Sequence, residues 1–200
     1  MFISREMLKE VTGEDFYSGK IIHSRFAYKF FRDKVIPIGN IIAFVSPTEV
    51  TTNLIDLEDA ITKDYIYSDK MINLCWEIPL TNCWGGVAFQ RLYNSLVANI
   101  LVKYIKSEIE ISNDDIFVRK EFTRGKITQI KGKASVSIVT EKNGDVLGHL
   151  GINIDCGDKA PVFAYSTGLT DEQAKEFITD CIEAFYQTTN SIFIATSKVI

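Results

Sequence analysis

The chain has 200 residues, enough for one domain with a substantial core, and 46% of them are hydrophobic and 12% aromatic, which excludes a disordered chain. A net charge of −4 gives no overall attraction for DNA or RNA, so nucleic acid is not an expected partner. The N-terminus lacks a signal-peptide pattern and no apolar run is long enough to span a bilayer, so a cytoplasmic protein without a membrane partner is expected. Cys75, Cys83, Cys156 and Cys181 are widely spaced, with no C-x-x-C, and read as free thiols, most of them buried.

A strand-like run opens the chain around Phe2 to Met7, before a turn at Tyr17-Ser18-Gly19. His23 to Phe31 reads as a short helix with Ser24 as its N-cap. Gly39 to Val45 is a buried-looking strand stopped at Ser46-Pro47, with Val50 to Ile55 as its expected partner. From Lys70 the alternation is clean, with Ile72, Leu74, Trp76 and Ile78 on one side and Met71, Asn73, Cys75 and Glu77 on the other. Phe89 to Lys106 has the period of an amphipathic helix, and Leu92, Leu96 and Ile100 are its expected buried stripe. Asp115 to Val118 reads as a strand, followed by a basic, glycine-punctuated segment to Gly132. Thr170 and Gln173 form a capping box before a second amphipathic helix. The final SIFIATSKVI fits either a continuing helix or an edge strand.

The segment Lys133 to Asp155 organises the rest. Asn143-Gly144 is the pair a type I′ hairpin turn prefers, since both central positions need positive φ. A two-residue turn puts Lys142 opposite Asp145, Val139 opposite Gly148, Ser137 opposite Leu150, Ser135 opposite Ile152 and Lys133 opposite Ile154. Lys133, Ser135, Ser137 and Gly148 then share one face, which would be a working side. Ala134, Val136, Ile138 and Leu147, with His149 and Asn153, take the other, which would be the packed side. Strands in runs with a few helices give an α+β class with a mixed or antiparallel sheet and helices packed on one face, in a single domain of residues 1–200. Neither G-x-G-x-x-G nor a P-loop is present, which argues against the common nucleotide-binding folds.

Lys133 is the candidate catalytic residue, because an amine at a strand start can hold a carboxylate, an acyl-adenylate or a phosphate. The competing reading is a surface lysine on a solvated face. Ser135, Ser137, Gly148, Gly151 and Asn153 are candidate ligand-binding residues, although strand glycines also mark bulges or close contacts. His23, Ser24 and Arg25 combine a base, a hydroxyl and a cation ahead of a helix, with no partner visible in sequence. Asp56, Glu58 and Asp59 offer oxygen ligands for Mg²⁺, against the ordinary alternative of a solvated acidic turn.

The order of YSGKIIHSRFAYKFF, LIDLEDA, SDKMINLCWEIP, FQRLYNSLVANIL, NDDIFV, KASVSI and GHLGINID resembles the domain of unknown function 366 family. That resemblance implies a fold similar to the catalytic domain of biotin and lipoate protein ligases, with a ligand site on one sheet face. Lys133 then matches the ligases' strand-start lysine, and Gly151-Ile152-Asn153 their glycine- and asparagine-bearing strand. ATP and Mg²⁺ are the implied cofactors, a small carboxylate or nucleotide-like molecule the implied ligand, and acyl or nucleotidyl transfer the implied reaction. A homodimer is the assembly considered. The ligases' glycine- and arginine-rich closing loop is replaced by the acidic DLEDAITKDYIYSD, and the alternative implied by that loss is a non-catalytic sensing or interaction domain.

Overall fold

The computed structural model describes residues 1–51, 61, 65–79 and 81–199. Its centre is a four-stranded antiparallel sheet of β1 (Asn40–Val50), β2 (Ile66–Pro79), β9 (Asp145–Asp155) and β8 (Ser135–Lys142), in that order. Asn143 and Gly144 take φ of 54° and 80°, as the turn requires. The hairpin pairs Lys142 with Asp145, Val139 with Gly148, Ser137 with Leu150 and Ser135 with Ile152, the expected register. Between β2 and β8 in the chain lie α3 (Cys83–Ile105), β3 (Glu108–Ser112), β4 (Asp115–Arg119), the small hairpin β5 (Phe122–Arg124) and β6 (Ile127–Gln129), and β7 (Gly132–Lys133). Strands β3, β4 and β7 form a second small sheet.

The helices α3 and α4 (Asp171–Thr196) pack on one face of the main sheet. They bury Ile41, Ile72, Leu74, Trp76, Val146, Leu150 and Ile152 against Phe89, Tyr93, Val97, Leu101, Phe177 and Phe185. The capping box of Thr170 and Gln173 starts α4 as expected, and the helix absorbs most of the undecided SIFIATSKVI. On α3 the buried stripe is shifted in phase but keeps Ile100 of the expected three, with Leu96 half-buried. Leu92 is 43% exposed, while Phe89, Tyr93, Val97, Ile100 and Leu101 are buried. Tyr93 fixes that phase by donating from its hydroxyl to the Cys181 carbonyl at 2.9 Å, which joins the two helices. Leu101→Ala is therefore expected to cost about 2–5 kcal/mol in urea unfolding. A loss below about 0.5 kcal/mol would place α3 outside the core.

The opposite face is covered over part of its area by the N-terminal segment, with α1 (Arg5–Thr12) and α2 (Phe26–Phe31). Phe2 makes only a bridge to Ala43 instead of beginning a strand, and Ser4 caps α1 by accepting from the Met7 N–H. The expected N-cap of α2 is not used. Arg25 occupies that position in a left-handed conformation, because Ser24 is drawn to Asp145 instead. Pro47 does not stop β1; the strand passes it through a register shift between Ser46 and Thr48, and as an edge strand it tolerates the missing donor. The partner of β1 is β2, which is buried on both faces from Met71 to Glu77. Cys75, Cys156 and Cys181 are buried and Cys83 is exposed, all as free thiols. No helix among the described residues is long and apolar enough to cross a membrane.

Candidate functional site

The hairpin face expected to be the working side is packed, and Leu147, His149 and Asn153 on the other face are buried as expected. Ser135, Ser137 and Gly148 lie on the side that α3 and α4 cover. Ser135 Oγ accepts from the Ile116 N–H at 2.8 Å, and Ser137 Oγ accepts from Gln90 Nε2 of α3 at 2.8 Å. A Cβ on Gly148 would lie 2.1 Å from the Trp76 indole, so the missing side chain makes room for tryptophan. These three positions tie the sheet to its neighbours. Hydroxyls on a strand look alike in sequence whether they face a ligand or a helix.

The other face divides into three stations along β9. At its start, Asp145 is 1% exposed and accepts from Ser24 Oγ at 2.5 Å and Arg25 Nε at 3.0 Å. Glu77 lies beside it and receives the Ala27 N–H at 3.5 Å. Its carboxyl is pushed above the ordinary range mainly by burial, and Asp145 adds to the shift, while the N–H groups of Ala27 and Phe26 and the Arg25 guanidinium pull the other way. A folded-state pKa above the unfolded one gives stability that is complete below the ordinary 4.5 and is lost as pH rises through the folded value. Glu77→Gln should flatten that decline and stabilise the protein at neutral pH. Parallel stability–pH curves for variant and wild type would refute the assignment. His23 turns elsewhere, with Nδ1 3.1 Å from the Ser24 carbonyl oxygen. Ser24 and Arg25 thus serve a buried carboxylate some six residues, roughly 20 Å, from Gly151.

His149 holds the middle station. Its ring stacks on Tyr17 at 3.8 Å between centroids, and Nε2 lies 2.9 Å from Asn73 Oδ1. The third station gathers Gly151, Asn153 and Lys133, beside Val136 and Ile138, which are only half-buried. Here the chain departs from the expected pairing. Lys133 belongs to β7, opposite Phe117, and Ser135–Ile152 is the last pair of the main hairpin. The physical reason is competition for the backbone. Lys133 N–H donates to the Phe163 carbonyl at 2.8 Å, and its carbonyl accepts from the Tyr165 N–H at 2.9 Å. The Ile154 carbonyl is taken by the Gly168 N–H at 3.0 Å. The segment after β9 therefore holds Lys133 by both its N–H and its carbonyl, opposite the side that pairs with β4.

The Lys133 ammonium meets Asp115 Oδ1 at 2.9 Å, with about a quarter of each side chain exposed. Burial holds the Asp115 carboxyl above its ordinary range, against the pull of Lys133. Asn153 is 4% exposed; its Nδ2 reaches the Lys133 carbonyl at 3.5 Å. Asp115, Tyr17 and Asn73 were not among the expected site residues, since each reaches the site through pairings remote in sequence. Much of the basic segment is committed: Lys131 and Arg119 pair with Glu110, and Arg124 donates to the Gly157 carbonyl. Asp56, Glu58 and Asp59 lie outside the described residues. Among the described residues no group of three or more His, Cys, Asp or Glu side chains is placed to hold a metal ion.

Comparison with solved structures places this fold among known ones. A protein of unknown function from Pyrococcus horikoshi is 22% identical over 92% of each chain, with a TM-score of 0.76. A putative lipoate protein ligase from T. acidophilum with bound lipoic acid is 12% identical over 78% of this chain and 77% of that one, with a TM-score of 0.51. A second structure of that ligase gives 14% identity over 80% and 77%, with a TM-score of 0.50. A search of the curated proteins gave no match. The shared fold is that of the lipoate-ligase-like proteins. With its family model matched over residues 7–200, the chain belongs to the family described as a domain of unknown function (DUF366).

Proposed function

We propose that the protein binds a small carboxylate at the third station, where Lys133 supplies the cation. The observation that carries this reading is the fixed position of Lys133. Its backbone is clamped by Phe163 and Tyr165, its carbonyl meets Asn153, and its ammonium is held by Asp115. An ammonium has three donors, and one on Asp115 leaves two for a ligand carboxylate. The solved relative with bound lipoic acid supports the class of ligand through the fold. Gly151 and Asn153 line the same station. Ser135, Ser137 and Gly148 are not part of the proposed contact surface, and His23, Ser24 and Arg25 act at the far end of β9.

Acyl or nucleotidyl transfer with ATP and Mg²⁺ is the enzymatic form of this proposal. Binding without transfer is its rival, favoured by the acidic DLEDAITKDYIYSD that stands in the sequence where the ligases carry their glycine- and arginine-rich closing loop. Thermal shift with lipoic acid, biotin and octanoic acid tests binding. Lys133→Ala should cost on the order of 1 kcal/mol for a part-exposed ion pair and abolish the ligand-induced rise in Tm. A mutant that keeps the full rise removes Lys133 from the site. Acid-dependent ATP–pyrophosphate exchange then separates the two forms: exchange supports transfer, and binding without exchange supports the sensor.

A further inference from the structure

Resting on the carboxylate site just proposed, we infer that the ligand also carries an N–H or O–H group, which Asn153 Oδ1 receives. Asn153 Oδ1 is shielded from solvent and, among the described residues, has no hydrogen-bond partner. The amide is oriented by its Nδ2, which points to the Lys133 carbonyl, so the free atom is the acceptor. A carboxylate has only acceptors and leaves this atom unsatisfied. A hydroxyl, amide or ureido group supplies the missing donor.

The groups around this acceptor allow a ligand to reach it. Asn153 pairs across the sheet with Met71, and Gly151 pairs with Asn73. A Cβ on Gly151 would fall 2.4 Å from Met71 Sδ, so the methionine fills the hollow that the glycine opens. Methionine is unbranched and has three rotatable bonds, and such side chains repack more readily than others in a core. Met71 is therefore the side chain that yields. A ligand body replaces the thioether over Gly151, its carboxylate meets Lys133, and its donor reaches Asn153. A site built to pair a polar group rejects the analogue that lacks it, because the protein's own group then stays buried and unpaired.

The test compares ω-hydroxy fatty acids with their unsubstituted parents, and biotin, which has ureido N–H groups, with lipoic acid, whose ring has no donor. Dissociation constants are measured calorimetrically on the full chain. In wild type the donor-bearing member of at least one pair should bind about tenfold tighter or more. Asn153→Ala should bring that ratio close to one. Acids that bind in a Lys133-dependent way with no donor preference overturn this inference and leave the carboxylate site standing. A preference that survives in Asn153→Ala overturns it too. If no acid binds, both fail together. The wild-type ratios decide the matter even if the variant does not fold.

Discussion

Acidification should unfold this protein in step with the protonation of His149, and His149→Phe should remove that part of the acid sensitivity. The imidazole is 2% exposed, stacked on Tyr17 at an interplanar angle of 13°. Asn73 Nδ2 donates to Ser46 Oγ and to the Met71 carbonyl, each at 3.2 Å, which turns Oδ1 towards the ring. His149 Nε2 is then the protonated nitrogen of a neutral ring, an assignment made from the network. Burial pushes its pKa down from 6.5 to about 3. A depressed folded pKa means that the unfolded chain takes up the proton first. The contribution is complete above the ordinary 6.5 and is lost as pH falls towards 3, at most about 5 kcal/mol.

Phenylalanine keeps the stack on Tyr17 but leaves Asn73 Oδ1 with only the Thr48 hydroxyl, at 3.3 Å. His149→Phe should thus be about 1–2 kcal/mol less stable at neutral pH, the worth of one buried hydrogen bond. The two stability curves should converge or cross as the pH falls, because carboxylates titrate in both proteins and only wild type has the histidine. Urea unfolding at a series of pH values measures the difference. Equal slopes in the two proteins would mean that His149 takes up its proton without unfolding.

Local chemistry was legible in the sequence, and what covers each face was not. The Asn143-Gly144 turn fixed the hairpin register because the requirement for positive φ is contained in those two residues. The Thr170 capping box is equally local. The assignment failed for the face of Ser135 and Ser137, which look solvent-facing, yet their hydroxyls serve Ile116 and Gln90, groups from other elements. The apolar side chains of the other face, Leu147 above all, wait for an N-terminal layer that nothing in the hairpin announces. Lys133 left the expected strand for a similar reason. Its backbone partners, Phe163 and Tyr165, lie some thirty residues downstream in a segment without periodicity. The carry-over of Lys133 and Asn153 from the ligase resemblance still selected two residues that meet in space, since Asn153 reaches the Lys133 carbonyl.

The two strand glycines should separate sharply when each receives a methyl group, with Gly148→Ala the more damaging. Their numbers differ by three, so they point to opposite faces of β9. At position 148 the added carbon would lie 2.1 Å from two carbons of the Trp76 indole and 2.7 Å from a third. Trp76 is fixed in turn by Phe89, at 5.1 Å between ring centroids, which meets Phe185. Strand β9 is paired on both sides, so its backbone has little freedom to retreat. Overpacking of this kind costs about 1–3 kcal/mol and sometimes more, and a rigid ring against a central strand belongs at the upper end. At position 151 the close atoms are Met71 Sδ at 2.4 Å and Val136 Cγ2 at 2.9 Å. The sulfur can swing aside at the loss of the 3.2 Å hydrogen bond it accepts from the Thr48 hydroxyl, and Val136 lies on the edge strand, so Gly151→Ala should cost about 1 kcal/mol. Ligand binding should reverse the order, because the methyl at 151 occupies the hollow assigned to the ligand body. Gly151→Ala should weaken acid binding, while Gly148→Ala, measured at a temperature where it remains folded, should leave the affinity unchanged. If the two variants lose equal stability, Trp76 has more room than this packing allows. If Gly151→Ala binds acids as well as wild type does, the ligand does not lie over Gly151.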